Sequence, residues 1–136
     1  MAALFNVTLT TADVARLAAF WSAALGMTVI EQRADLARLA APAGHGTNLL
    51  ILRGDSPSAP NGRVHLDLAA ADLVAEAGRL VELGAVLVDG GTPQRPVMRS
   101  ANGISWIVMA DADGNEFCLG GLPAGGAEEG PFGPPN

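Results

Sequence analysis

The stretch HLDLAAADLVAEAGRLVELG, residues 65–84, decides the fold because an earlier stretch repeats its pattern. Residues 6–26 read NVTLTTADVARLAAFWSAALG. Both begin with alternating apolar and polar residues, reach an aspartate (Asp13 or Asp72) at the same spacing, and close an amphipathic segment with Leu-Gly. Such self-similarity predicts two copies of one supersecondary unit.

Each copy predicts a strand followed by a helix. Period-two alternation is typical of a strand with one apolar face, and apolar residues at three- and four-residue spacing are typical of an amphipathic helix. Thr11 or Asp13 in the first copy, and Asp72 in the second, are the expected caps or first-turn acids. Gly26 and Gly84 are expected to end the helices, since a left-handed residue there favours glycine.

Short extended runs follow each predicted helix, at 27–32, 36–41 and 48–53 in the first copy and 86–88, 104–110 and 116–119 in the second. The sequence therefore predicts an α+β fold that contains the unit βαβββ twice.

The division of the chain follows from composition. We expect one domain over 1–120, a length suited to a single core. It comprises module one (3–54), a linker GDSPSAPNG (54–62) and module two (63–120), and a Gly/Pro-rich tail (121–136) predicted to be mobile follows. Residues 89–103 are predicted to form a long loop inside module two, and long loops in compact domains are often functional.

Composition excludes several classes of function. The net charge is −6 and the eight cations, all arginine, are scattered, which argues against nucleic acid binding. No apolar stretch is long enough to span a membrane, and the first residues do not resemble a signal peptide. The single cysteine, Cys118, cannot form an internal disulfide, so we expect a reducing, cytoplasmic location. Without lysine or tyrosine, acid–base chemistry falls to His45, His65, Cys118 or a carboxylate.

The stretches RVHLDLAAADLVAEAGRLVELGA and SWIVMADADGNEFCLG resemble the glyoxalase/bleomycin-resistance/dioxygenase superfamily, also called the vicinal-oxygen-chelate superfamily. The resemblance covers about residues 3–120. It implies paired βαβββ modules that form a curved mixed sheet, a cup, and it implies a homodimer. It does not select a function, because this fold serves lyases, isomerases, dioxygenases, epoxide-opening thiol transferases and antibiotic-sequestering proteins.

The strand alternation selects candidate site residues without reference to any family. Apolar faces must pack against the helices, so the opposite faces line the cup with Asn6, Thr8, His65, Asp67, Glu116 and Cys118. His65, Glu116 and Cys118 are the candidate catalytic residues, as base, nucleophile or ligand. The alternatives are a hydrogen-bonded polar His65, a turn-capping Glu116 and a small buried Cys118.

The remaining candidates would contact a bound molecule. Asn6, Thr8, Leu50, Leu52, Asp67 and Trp106 are the predicted ligand-binding residues. Trp21 lies on the helix stripe and is expected in the core, and His45 is expected in an exposed loop. Arg95 and Arg99 lie in the long loop, where they would meet an anionic group at the cup mouth or simply be solvated.

The resemblance also implies where a metal would bind. Metal-dependent members use one side chain from each of four strands, and the corresponding positions here are Asn6, His65, Cys118 and either Leu50 or Leu52. Leucine cannot bind a metal and asparagine is a poor ligand, so we expect neither a tightly bound metal nor another cofactor. The alternative is a zinc site with two or three ligands from His65, Cys118 and Glu116, because catalytic zinc accepts three protein ligands and a water.

Two functional hypotheses follow from the sequence. The first is a metal-independent binding protein that holds an apolar or planar small molecule in the cup, as bleomycin-resistance proteins do. The second is a metal-dependent or metal-free lyase, isomerase or dioxygenase that uses His65 with Glu116 or Cys118.

Overall fold

A computed structural model describes residues 1–43, 46–55, 64–101 and 103–121. Three predictions fall wholly or largely outside these ranges: the exposed loop at His45, most of the linker 54–62 and nearly all of the tail 121–136. No helix in the described ranges combines the length and the apolar character needed to cross a bilayer.

Module one has the predicted order of elements. They are β1 (Ala3–Thr11), α1 (Val14–Leu25), β2 (Thr28–Gln32), β3 (Leu36–Ala40) and β4 (Asn48–Arg53). The predicted strands at 27–32, 36–41 and 48–53 are therefore confirmed to within one residue.

Module two repeats the order and adds three short strands. Its elements are β5 (Val64–Ala70), α2 (Leu73–Glu82), β6 (Val86–Leu87), β7 (Gly91–Thr92), β8 (Arg95–Pro96), β9 (Arg99–Ala101), β10 (Ile104–Ala110) and β11 (Glu116–Gly121). The additions lie in the segment 89–103 that the sequence predicts as loop. There, β7 and β8 form a hairpin and β9 extends β10. The sequence analysis missed these short strands because the glycines and prolines in the segment are typical of loops.

The two helices begin in the same way. Asp13 and Asp72 each accept a hydrogen bond from the backbone N–H three residues later, at 3.0 Å in both cases. Each aspartate satisfies one of the donors that the first turn of a helix leaves unpaired. α1 ends at Gly26 in the left-handed conformation, as predicted, whereas α2 is capped by Leu83 and Gly84 follows with positive φ.

The two modules join edge to edge in one curved mixed sheet, which confirms the α+β fold class. Among the described residues its main order is β2-β3-β4-β1-β5-β11-β10-β6. β1 runs parallel to β4 and antiparallel to β5, and β5 runs parallel to β11. The first strands of the modules therefore pair at the centre, where Val7 lies opposite Leu66.

Both helices cover the same face of the sheet. α1 packs with Ala37, Leu39 and Ile51, and α2 with Ile107, Met109 and Leu119. Because side chains alternate along a strand, their neighbours in sequence lie on the other face, which we call the helix-free face. The sequence predicted this division from the alternation of β1, β5 and β11.

Candidate functional site

Five polar or sulfur-bearing side chains meet at the centre of the helix-free face. Asn6 lies opposite Asp67, Thr8 lies opposite His65, and Cys118 lies beside Asp67 on the next strand. We call these five residues the polar cluster. Each is at most 4% exposed, so the cluster is buried although no helix covers this face.

Hydrogen bonding within the polar cluster is incomplete. The Thr8 hydroxyl donates to Oδ2 of Asp67. His65 Nε2 lies 3.3 Å from Asp67 Oδ1, yet Oδ1 makes no hydrogen bond within the described chain. Nδ2 of Asn6 and Nδ1 of His65 are also buried without a partner there.

Unpaired buried polar atoms carry a cost in stability. Each loses its hydrogen bonds to water on folding and gains none in return, a penalty of about 1–3 kcal/mol per group. Native structures contain few such groups, and those that occur call for an explanation in terms of function or a missing partner. Three of them within one cluster mark this part of the sheet as the candidate site.

Cys118 is a poor nucleophile in this environment. Burial, and then the nearby negative charge of Asp67, raise the pKa of its thiol. The thiolate is the reactive form of cysteine, so a raised pKa works against nucleophilic catalysis. The sequence hypothesis in which His65 activates Cys118 as a nucleophile therefore finds no support in the electrostatics.

Glu116 begins β11 and is half-buried. β11 runs parallel to β5 and Phe117 pairs with Leu66, so Glu116 lies beside His65 on the neighbouring strand. Of the three candidate catalytic residues, Glu116 is the one that lies outside the buried polar cluster.

Apolar clusters flank the polar cluster on both sides along the helix-free face. On the module-one side Leu50 and Leu52 pack with Leu36, and on the module-two side Trp106 packs with Val108 and Cys118. Leu50, Leu52 and Trp106 thus lie on the face where the sequence places ligand contacts. Trp21 packs against the module-one core, as predicted.

Arg99 and Arg95 differ in their surroundings. Arg99 lies opposite Trp106 and makes two hydrogen bonds to Asp89, of 2.7 and 2.8 Å, which raise the pKa of its guanidinium. Its charge is therefore compensated within the protein rather than free for an anionic ligand. Arg95 is exposed.

Two polar residues on the helix-free face escaped the sequence reasoning. Arg38 lies opposite Leu50, and its Nε donates to Glu31 at 2.7 Å. Asn48 lies opposite Asn6, and its Oδ1 accepts from the backbone N–H of Ala41 at 3.1 Å. The signal for Arg38 was an arginine within the otherwise apolar run of β3. No such signal marks Asn48, because its alignment with Asn6 depends on a strand register that the sequence does not give.

A separate surface groove of about 600 Å³ lies where β1 and β4 end. Arg16 and Arg53 line it, but each is close to an aspartate, Asp13 at 3.9 Å and Asp55 at 2.5 Å. Its described lining residues include none of the polar cluster and no buried side-chain atom without a hydrogen bond.

Comparison with known proteins now identifies the family. The family model of the glyoxalase-like domain matches residues 6–120. The chain belongs to the glyoxalase-like domain family. No curated protein matches it significantly.

Solved structures share the fold of this glyoxalase-like domain at low identity. Methylmalonyl-CoA epimerase from Mycobacterium tuberculosis is 20% identical, with a TM-score of 0.63 over 87% of this chain and 86% of that one. A glyoxalase/bleomycin resistance protein/dioxygenase superfamily member from Vibrio splendidus 12B01 is 15% identical, with a TM-score of 0.58 over 89% and 99% of the two chains. The NAD-dependent benzaldehyde dehydrogenase structure from Legionella pneumophila is 14% identical, with a TM-score of 0.63 over 87% and 98%. Likeness at this level establishes the fold alone.

The four-strand metal set of the superfamily does not fit this glyoxalase-like domain. At the module-one positions, Leu50 offers no donor atom and is buried among leucines, and Asn6 offers an amide. The side chains with strong donor atoms, His65 and Cys118, both belong to module two. The residues at these four positions therefore could not hold the metal of the superfamily.

Proposed function

We propose that this glyoxalase-like domain binds a small organic molecule on the helix-free face. Its polar end would meet Asn6, His65 and Asp67, and its apolar or planar body would rest against Leu50 and Leu52 or against Trp106. The observation that supports the proposal is the group of unpaired buried atoms between two apolar clusters. Apolar walls with a few convergent polar groups are typical of small-molecule sites.

The unpaired atoms also define the chemistry of the ligand. Nδ2 of Asn6 needs an acceptor and Oδ1 of Asp67 needs a donor. A carbonyl next to a hydroxyl or amine meets both requirements. Since the polar cluster is almost fully buried, only a small group of the ligand would reach it, after the flanking side chains move.

A compound screen followed by calorimetry tests this proposal. Planar hydroxy-carbonyl compounds that raise the melting temperature would be titrated into wild type, His65→Ala and the exposed control Glu82→Gln. We expect His65→Ala to weaken binding by about 1–3 kcal/mol, the cost of an unpaired buried partner, and the control to bind as wild type does. Equal affinity of all three proteins for every hit would contradict the proposed site.

Acid–base catalysis is the second candidate function. It is favoured by the 3.3 Å contact between His65 Nε2 and Asp67 Oδ1, since a carboxylate beside an imidazole can orient the ring of a general base. One of the similar structures is a methylmalonyl-CoA epimerase, so methylmalonyl-CoA provides a test substrate. Incorporation of deuterium from D₂O at its α-carbon by wild type, lost in His65→Gln, would favour the enzyme over the binding protein.

A homodimer is part of the proposal. Leu4, Val64 and Leu66 are exposed on the helix-covered side of β1 and β5, between the two helices. Exposed apolar patches of this kind usually mark an interface. We expect light scattering to give twice the chain mass of 13.8 kDa for wild type and the control Leu83→Lys, and the monomer mass for Leu66→Lys. A monomeric wild type would refute the dimer.

Cys118 is the basis for proposing a cytoplasmic location. It is free and buried, and free thiols persist in reducing compartments. Fractionation of the source cells would check this.

A further inference from the structure

Asp67 is a carboxylate that the fold removes completely from water. Its exposed fraction is 0%, the lowest of any charged side chain in the described chain. The Thr8 hydroxyl donates to its Oδ2, and its Oδ1 accepts no hydrogen bond from any described residue. A buried carboxylate is costly unless a positively charged partner compensates it. A cation that reached Oδ1 would therefore be stabilised there.

His65 compensates Asp67 poorly. It makes the one ion-pair contact of Asp67 among the described residues, from Nε2 to Oδ1 at 3.3 Å, but the two atoms do not form a hydrogen bond. A positively charged ring would also leave the N–H at Nδ1 buried without an acceptor there. An unpaired N–H costs more on a charged group than on a neutral one, so the neutral ring suits this environment better.

Arg38 and Arg99 also lie on the helix-free face, but each is bound to a different carboxylate. Arg38 Nε donates to Glu31 at 2.7 Å. Arg99 Nε donates to Asp89 at the same distance. The net charge of the whole chain is −6, which favours the approach of cations over anions.

The Cys118 thiol reports the sign of the local electrostatic potential. Burial is the largest cause of its raised pKa, and the negative charge of Asp67 is the next largest. The positive charge of Arg99 lowers this pKa by less than Asp67 raises it, and two further carboxylates act in the same direction as Asp67. The potential beside Asp67 is therefore negative, as a cation site requires.

We propose that the ligand of the polar cluster is a small organic cation, an α-amino carbonyl compound whose protonated amine binds Asp67. This inference rests on the proposed small-molecule site, and it selects the amine from the two donors, hydroxyl and amine, that the unpaired atoms would accept. An ammonium group has a positive charge and three N–H donors, whereas a hydroxyl has no charge and one donor.

One ammonium group with an adjacent carbonyl matches the unpaired atoms of the polar cluster. The ammonium can donate both to Oδ1 of Asp67 and to a ring nitrogen of neutral His65, and the carbonyl can accept from Nδ2 of Asn6. Asn6 and Asp67 lie opposite each other on β1 and β5, so neighbouring groups of one small molecule reach both. Such a cation binds through hydrogen bonds and needs neither the ligand set of a metal nor a deprotonated thiol.

Paired compounds test the amine directly. Calorimetry would measure the binding to wild type of α-amino amides such as phenylalaninamide and of their hydroxy twins such as phenyllactamide, in phosphate at about pH 6.5, where the amino groups are protonated. We expect the amines that bind to do so about tenfold more tightly than their twins, because hydrogen bonds between charged groups are stronger. Asp67→Asn should abolish this preference, and Asp113→Asn, the same change at an exposed turn, should keep it.

Thermal unfolding without any ligand provides a second test. Asp67→Asn should raise the melting temperature by roughly 3 °C or more, because it removes an uncompensated buried charge. Asp89→Asn, which breaks the ion pair with Arg99, should lower it. If Asp67→Asn melts below wild type, the charge of Asp67 is balanced inside the protein and the inference is overturned.

The compound series separate this inference from the function on which it rests. Amines that bind no more tightly than their hydroxy twins, or a preference that survives in Asp67→Asn, would overturn the cationic ligand and leave the small-molecule site standing. Binding of neither series would overturn both. Circular dichroism would establish that the variants fold, and the comparison of the two series in wild type needs no variant.

Discussion

Two asparagines that face each other across β1 and β4 should respond oppositely to the same substitution. Asn6 and Asn48 are both buried on the helix-free face, but Asn48 bonds to the Ala41 backbone and Nδ2 of Asn6 bonds to nothing in the described chain. Asn6→Leu removes an unpaired group, which is worth about 1–3 kcal/mol, whereas Asn48→Leu creates one at a similar cost. The free energies of unfolding of the two variants should therefore differ by about 2–6 kcal/mol.

Guanidinium unfolding of wild type and both variants measures this difference. Leucine is larger than asparagine at both positions, so comparing the variants with each other largely cancels the effect of added volume. We expect Asn6→Leu to be at least as stable as wild type and to lose ligand binding. If Asn6→Leu is as destabilised as Asn48→Leu, Asn6 is not an uncompensated group and the polar cluster is not a ligand site.

Three further predictions concern other parts of the fold. Glu76 accepts hydrogen bonds from Arg79 and the Ala2 N–H, which hold its pKa at about 2 instead of 4.5. Because folding lowers the pKa of Glu76, its ionised form stabilises the native state, and Glu76→Gln should have a smaller free energy of unfolding than wild type at pH 7. In urea titrations the difference between the two free energies should shrink as the pH falls from 4.5 towards 2. Cys118, 1% exposed, should react with Ellman's reagent only after unfolding, so rapid labelling of native protein would contradict its burial. Gly91→Ala should destabilise the β7–β8 hairpin, because φ is positive and the new Cβ would clash with the Arg95 carbonyl oxygen. Amide exchange in the hairpin should accelerate, and unchanged exchange would count against this strain.

Local patterns were enough to predict the modules. The repeat, the capping aspartates and the alternation of β1 and β5 all act over a few residues, and each has a direct structural consequence. They placed His65 and Asp67 on the correct face without knowledge of any partner strand. The hairpin at 91–96 escaped because strands of two residues have no periodicity to detect.

The contacts within the candidate site could not be predicted in the same way. Which residue lies opposite which depends on strand register and on the irregularity between Leu4 and Asn6, and neither is encoded locally. The sequence grouped Cys118 with His65 and Glu116, whereas the structure places Asp67 between His65 and Cys118 in the buried cluster. Burial then raises the pKa of Cys118, an effect that only the assembled sheet produces.

The central pairing of β1 with β5 relates the modules by a local two-fold axis near Val7 and Leu66. Asn6 and His65 are equivalent under this symmetry, as are Thr8 and Asp67. Two identical copies of module two joined in this way would bring two imidazoles and two buried carboxylates to the axis, where the like charges would repel. Fusing two different halves in one polypeptide keeps one side of the axis neutral. Duplication followed by divergence thus permits an asymmetric charge distribution that a symmetric pair of half-length chains could not have.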